Sequence, residues 1–510
     1  MNALAILPPL TTPRGADILG ILPEVILAVG FVSLLMLDLV TSAAHRGWLA
    51  GFSLLAVAAS FGSTVWGWFD ASTPHTVYFG SFAYDRFGLF INAIILVSTA
   101  LVLMISPQYL NRRGLHYGEY YSLILAAATG MMILAGASSL MVIFLAIELL
   151  SIALYILSGF SRQEPRSQEA ALKYLLLGGF ASGFLLFGMA LIYGETGHTQ
   201  LVQIAAALQS SGNTVDPLLM AGIAMLFVGL AFKISAAPFH TWTPDVYQGA
   251  PTSVTTFMSV TTKVAAFAAL IRVFTYTLGE PTVYDRWKIM VYFVAIASMV
   301  IGNVAALRQT SLKRMLGYSG IAQAGYILIG VVVQPFTAQG TADGLGTVAS
   351  LYYLAAYAVT NIGAFAVITV MAGRGEDMDS YDSLRGLAFR RPYVAAAMGL
   401  FLLSLGGFPP TAGFFAKFFV FASAINAHEL PLALWGIGTS AISVFYYLRV
   451  TLIMFQRPKE EAAAYEWPRT GWAGSAVLLV SAAGTLVLGI FVVLVLTVAT
   501  MAQAGTLPGT

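Results

Sequence analysis

Residues 229–245 read GLAFKISAAPFHTWTPD, and residues 403–419 read LSLGGFPPTAGFFAKFF. Each sets one lysine in an apolar run and then breaks the run, with Pro238 and Pro244 in the first and Gly406, Gly407, Pro409 and Pro410 in the second. A proline inside a helix removes a hydrogen bond and clashes with the preceding turn, so the carbonyls it frees need water or polar neighbours. At membrane depth such backbone is tolerated only where it is buried in protein or lines a cavity. Two broken helices at corresponding positions mark an inverted-repeat transporter with its working site near the breaks. The plainer alternative is a pair of kinked helices in a bundle.

Outward from these stretches, apolar segments of about 20 residues, enough to cross a hydrocarbon core, recur to both ends. They fall near residues 18–40, 48–69, 87–106, 119–136, 138–160, 168–194, 217–244, 250–278, 286–307, 311–334, 345–372, 392–427, 430–456 and 471–503. Of 510 residues, 58% are apolar and 9% charged, against roughly 25% charged in a soluble domain. A soluble fold is excluded. The expectation is an all-α polytopic membrane protein of about 14 transmembrane helices, numbered here in order, with helices 7 and 12 broken and two inverted five-helix repeats. Its parts are a three-helix segment in 1–118, a first repeat in 119–278 (helices 4 to 8), a second in 279–456 (helices 9 to 13), and helix 14 in 457–510. The N-terminus, MNALAILPPLTTPRG, has only Arg14 as a basic residue, and the apolar run after it is about twice a secretory h-region. It is read as a membrane helix that stays.

Loop charges test the count independently. The odd-numbered loops carry Arg46, Arg112, Arg113, Arg162, Arg166, Arg308, Lys313, Arg314, Arg374, Arg385, Arg390, Arg391, Arg457, Lys459 and Arg469, fifteen in all; the even-numbered loops and termini carry Arg14, Arg86, Arg286 and Lys288. Basic residues gather on the cytoplasmic side, so the odd loops are expected there and both termini outside. That orientation suits a bacterial inner membrane, with an organellar or thylakoid membrane as the alternative.

Five charges lie well inside the apolar segments: Glu148 in FLAIELLSIAL, Lys173 in EAALKYLLLGG, Lys233, Lys263 in SVTTKVAAFAAL, and Lys417. An ionised group at a helix centre costs about 2.5–3.5 kcal/mol on insertion scales, so five left bare would cost on the order of 10–15 kcal/mol. One carboxylate can compensate one of the four amines; the rest must be hydrated or neutral. Burial disfavours a charged amine and a nearby carboxylate restores it, so a lysine whose hydration or partner changes captures or releases a proton. Glu148 is expected to tune Lys233 or Lys173, with Lys263 in the middle and Lys417 as the relay of the second half. Lys173, about five residues from a helix end, either joins the relay or snorkels to the interface. His240, just past the helix 7 break, is either a structural hydrogen-bonding residue or a proton shuttle. Arg272 and Arg449, near helix ends, are expected to anchor, and Glu24 and Asp38 to be solvated.

Other chemistry finds little support. The net charge of +2 offers no field for nucleic acid, and the absence of cysteine removes thiolate ligands for iron–sulfur clusters and structural zinc. GLGTVA from Gly344 and GIGTSA from Gly436 match a dinucleotide fingerprint loosely, but neither follows a strand. No phosphate-binding loop occurs.

The stretches FLAIELLSIALYILSGF, RSQEAALKYLLLGGFASG, GLAFKISAAPFHTWTPDVYQGAPT, SLKRMLGYSGIAQAGY, TNIGAFAV and LSLGGFPPTAGFFAKF, in this order, resemble the antiporter-like membrane subunits of respiratory complex I, the proton-pumping NADH:quinone oxidoreductase, and among them subunit N most. The resemblance implies an inverted-repeat fold of fourteen helices and a central polar axis, a Glu on helix 5 and lysines on helices 6, 7, 8 and 12, matching Glu148, Lys173, Lys233, Lys263 and Lys417. It also implies that flavin, iron–sulfur clusters and quinone belong to partner subunits, with no cofactor in this chain. Subunit M typically has Glu where Lys417 stands, and subunit L continues into a long lateral helix, whereas this chain ends about seven residues after helix 14. The equivalent subunit of ferredoxin-driven photosynthetic complexes, and a stand-alone cation/proton antiporter of the same fold, are the alternatives.

Overall fold

A computed structural model of the chain describes residues 15–42, 47–71, 73–210, 216–333, 345–373, 377–457 and 468–506. Arg14, Arg46, Gly344, Arg374 and Lys459 lie outside the described residues. The membrane helices are α1 (Leu22–Val40), α2 (Gly47–Asp70), α3 (Arg86–Arg113), α4 (Gly118–Gly136), α5 (Leu140–Ser158), α6 (Pro165–Thr196), α7 in two pieces (Pro217–Ile234 and Trp242–Gly249), α8 (Thr252–Leu270, continued as a π-helix over Ile271–Thr277), α9 (Pro281–Leu307), α10 (Leu312–Val332), α11 (Leu345–Met371), α12 in two pieces (Pro392–Gly406 and Ala412–Asn426), α13 (Leu430–Met454) and α14 (Trp472–Ile490, extended by Val492–Ala504). Thirteen described helices are long and apolar enough to cross a membrane. The two pieces of α12, 15 residues each, make the fourteenth, and the expected fold class holds. A short antiparallel hairpin, β1 (His75–Val77) with β2 (Phe82–Tyr84), lies between α2 and α3, outside the expected helices.

Burial sorts the helices. α8 is buried along its whole length and α10 and α11 nearly so, whereas α1, α2, α6, α13 and α14 keep most of their surface. Exposed apolar side chains such as Leu145, Ile152, Leu176 and Phe180 run along α5 and α6, as lipid-facing helices require. Without a hydrophobic drive between helices in lipid, close approach depends on small residues. A Cβ at Gly302 of α9 would stand 2.6 Å from the Ala322 backbone nitrogen of α10, so only glycine permits that crossing.

Two ion pairs fasten the ends of the bundle. Arg272, expected as an interfacial anchor, is fully buried. Its guanidinium grips Asp85 in bidentate fashion, Nη1 to Oδ2 at 2.8 Å and Nη2 to Oδ1 at 2.7 Å, while Nε donates to the Ala135 carbonyl at 2.7 Å. Asp85 also caps α3, accepting from the Gly88 N–H at 2.8 Å. The Arg272 side chain thus reaches from the π-helical stretch to the end of α4 and the start of α3. On the opposite side Lys313, read as a loop cation, is buried and donates to Asp377 at 3.0 Å and to the Ala250 carbonyl at 2.8 Å. Asp377 also accepts from Thr252 Oγ1 at 2.5 Å and Tyr109 Oη at 3.0 Å, which ties α3, α8 and α10 to the segment after α11. Glu24 is buried rather than solvated, because helix packing brings Asn92 of α3 to its carboxylate, Nδ2 donating at 2.7 Å. Asp38 is half-buried. Arg449 does act near a helix end, donating to the Leu307 carbonyl that closes α9.

Burial pushes the Asp377 carboxyl up, but the Lys313 ammonium, the Thr252 hydroxyl and the Arg113 charge outweigh it and hold it below the usual carboxylate range. A carboxyl held below its unfolded value, ~3.9, contributes stability above that pH and loses it as pH falls through the native value. The stability gap between the parent and Asp377→Asn, followed by denaturant or thermal midpoints in detergent, should therefore be widest above about pH 5 and close below about pH 4; a pH-independent gap would contradict it. Asp85→Ala leaves a guanidinium buried without its partner and should lower stability by about 3–5 kcal/mol, whereas Asp85→Leu with Arg272→Met should recover most of it. An unfolding midpoint unmoved by the single change would remove Asp85 from this role.

Candidate functional site

Lys233, Lys263 and Lys417 are 4%, 1% and 4% exposed. Lys233 occupies the last turn of the first piece of α7. The helix stops there because Ser235 turns left-handed at φ 63°, its N–H returning to the Ala231 and Phe232 carbonyls. The break thus comes three residues before Pro238, so proline prevents the helix from resuming rather than ending it. The Lys233 amine donates to Ser151 Oγ of α5 at 2.6 Å and lies 5.6, 5.7 and 5.6 Å from the ring centroids of Tyr155, Tyr174 and Phe232. The partial negative charge of a helix C-terminus favours a cation at this position.

α12 repeats the device with the lysine on the other piece. Its first piece ends at Gly406 and turns at Gly407, φ 90°, a value that glycine adopts without penalty. Lys417 of the second piece reaches back to the Gly406 carbonyl at 3.1 Å and to Ser440 Oγ of α13 at 2.9 Å, over the Tyr326 ring at 5.1 Å. Lys263, midway along α8, donates to the Gly320 carbonyl of α10 at 2.5 Å. A Cβ at Gly320 would come within 2.9 Å of this amine and 3.2 Å of Tyr357 Oη, so glycine keeps room there.

Among the described residues none of these three amines meets a carboxylate within 4.0 Å. Between Lys263 and Lys417 the interior is polar but uncharged. Tyr357 Oη donates to the Ser259 carbonyl at 3.2 Å, Tyr353 Oη donates to Gln323 Oε1, and Gln323 Nε2 donates to Tyr447 Oη and the Leu405 carbonyl, both at 3.3 Å. Gln323, Tyr353, Tyr357, Thr360, Ser404 and Lys417 surround a void of about 10 Å³, the room of about one water molecule. Hydroxyls and one water site can pass a proton by exchanging donor and acceptor roles, while the Gln323 amide, a fixed acceptor at Oε1 and a fixed donor at Nε2, orients the hydroxyls of Tyr353 and Tyr447. Sequence reading missed these neutral groups because Ser, Thr, Tyr and Gln are also ordinary helix-contact residues.

Glu148 and Lys173 are placed differently. Glu148 is half-buried and accepts from Ser182 Oγ of α6 at 2.5 Å. It touches neither expected partner, and its charge reaches Lys233 only through space. Lys173 is 40% exposed and bridges Glu169 at 2.6 Å and Asp245 at 2.7 Å, with Arg314 on the other Asp245 oxygen at 2.6 Å. One turn of α6 separates Glu169 from Lys173, so the partner was one turn away in sequence. His240 sits half-buried in the α7 break, its Nδ1 enclosed without a protein hydrogen-bond partner. Among the described residues no group of three or more His, Asp or Glu side chains is placed to hold a metal.

The family described as NADH:quinone oxidoreductase/Mrp antiporter, TM, matches residues 137–443. The NADH-quinone oxidoreductase subunit N of Trichlorobacter lovleyi is 42% identical over 470 residues, covering 92% of this chain and 93% of the relative. Among solved structures, a chain of respiratory complex I from Thermus thermophilus superposes with a TM-score of 0.77 at 34% identity, over 93% of this chain and 98% of that one. A chain of the Mrp complex from Dietzia sp. DQ12-45-1b, at 22% identity and a TM-score of 0.81 over 96% of this chain and 97% of that one, shares the fold. The chain belongs to the NADH:quinone oxidoreductase/Mrp antiporter membrane family and, within it, to the subunit N group of NADH-quinone oxidoreductases.

Proposed function

We propose that this chain is a proton-translocating membrane-arm subunit of a complex I-type NADH:quinone oxidoreductase, driven by quinone reduction in partner subunits. Lys233, Lys263 and Lys417 carry the protons, and Glu148 biases Lys233 through space. The observation that carries this reading is that three buried amines rest on neutral acceptors. An amine locked against a carboxylate stays charged, whereas one facing a hydroxyl or a carbonyl changes protonation as its hydration changes. Lys173 acts at the edge of this system, because its two carboxylate partners and partial exposure keep it charged. His240, with one enclosed nitrogen free, is available to a water at the α7 break.

Iron–sulfur clusters fall to the partner subunits, since this chain has no cysteine to ligate one, and flavin and quinone are assigned to those subunits with them. The basic loops face the cytoplasm of a bacterial inner membrane, with both termini outside. The two inverted repeats run over residues 119–278 and 279–456, each with one broken helix.

In the assembled complex reconstituted into vesicles, Glu148→Ala and Lys233→Ala should each reduce quinone-coupled proton pumping several-fold, while Lys173→Ala leaves most of it. Ser151→Ala, which removes the acceptor of Lys233 without altering a charge, should fall between them. Parental pumping by both Glu148→Ala and Lys233→Ala would refute the relay. A stand-alone antiporter would instead be isolated free of redox subunits and exchange cations for protons unaided.

A further inference from the structure

Asn303, four residues before the end of α9, is fully buried and takes no part in the relay described above. Its Nδ2 donates to the Met299 carbonyl one turn back at 2.7 Å and to Tyr326 Oη of α10 at 2.9 Å, while Oδ1 accepts from Tyr446 Oη of α13 at 2.9 Å. A carbonyl only accepts, so the amide nitrogen must face Met299, and the direction of the other two bonds follows. Tyr326 Oη, already accepting from Asn303, donates to Thr439 Oγ1 at 3.3 Å. The hydroxyl is thus held from α9 on one side and from α13 on the other, and the Phe421 ring meets that of Tyr326 edge-on, with centroids 6.0 Å apart. This tether fixes a ring face. Lys417 Nζ lies 5.1 Å from the Tyr326 centroid, inside the ~6 Å within which the negative face of an aromatic ring attracts a cation. The other contacts of this amine, the Gly406 carbonyl and Ser440 Oγ, are neutral as well.

We infer that Asn303 is a positioning residue for proton transfer at Lys417: its amide fixes the Tyr326 hydroxyl and so holds the ring face against the amine. A ring released from this bond is free to tilt and to present its positive edge to the ammonium instead. Asn303 carries no proton itself, because its amide keeps one donor end and one acceptor end. As glue between helices alone the amide would contribute little, since interhelical hydrogen bonds in lipid are individually weak. The inference rests on the proposed relay through Lys417 and adds to it a residue that acts only through Tyr326.

The test compares Asn303→Leu, Tyr326→Phe, the two together, and Lys417→Ala, each in the assembled complex reconstituted into vesicles. Asn303→Leu removes the amide at similar volume, and Tyr326→Phe keeps the ring but cuts its tether. Each single change should reduce quinone-coupled proton pumping per assembled complex several-fold. The double variant should pump no worse than either single one, because both changes cut the same tether. Glue between helices would instead give losses that multiply in the double variant and that follow the amount of complex assembled. Tyr326→Phe remains informative if Asn303→Leu does not assemble. Parental pumping by Tyr326→Phe beside an impaired Lys417→Ala, or multiplied losses in the double variant, would overturn the inference and leave the relay standing. Parental pumping by Lys417→Ala would overturn the role of that lysine, and this inference with it.

Discussion

An ammonium group held in a dry interior by an uncharged oxygen is the constraint on which the rest of this structure depends. Such a group is stable enough to be buried only if the acceptor is well placed, and free enough to give up its proton only if the acceptor is not a carboxylate. The broken helices meet both conditions. Ending the first piece of α12 at Gly406 brings a C-terminal carbonyl to Lys417, and ending the first piece of α7 just after Lys233 sets that lysine in a last turn whose dipole favours a cation, in neither case adding a formal negative charge. Lys263 solves the same problem differently, by taking an acceptor from the unbroken α10 across a contact where Gly320 leaves room.

Full ion pairs are kept away from this axis. Asp85–Arg272 and Asp377–Lys313 lie toward opposite faces of the bundle, each tying three or more segments together. Glu169, Lys173, Asp245 and Arg314 form a third group at the mouth of α6 and α7. In low dielectric such pairs are strongly attractive once formed and expensive to split, which suits fastening and does not suit transfer. The molecule thus separates charges that must stay from charges that must change.

The outer surface follows from the same physics. Helices at the periphery pay no penalty for leucine and phenylalanine against lipid, so α5, α6 and α14 carry exposed apolar faces.

Much of this was legible in the chain itself. Twenty-residue apolar segments and the asymmetry of loop charges determined fourteen helices, because a bilayer admits few other solutions for a polar backbone. Lysines 233, 263 and 417 were legible as interior because each lies far from any loop within an apolar run. Their acceptors were not, since Ser151, Gly320 and Gly406 differ in no way from the many other small residues that let helices pack. Arg272, Lys313 and Glu24 were misread for a related reason: distance from a helix end along the chain says how deep a residue can be, but only the packing of α3, α4, α8 and α10 says whether water reaches it. The sequence alone determined that amines outnumber acids in an oily interior; the tertiary structure decided which amines met a carboxylate and which met a neutral oxygen, because hydrogen-bond partners are chosen by contacts between helices far apart in the chain.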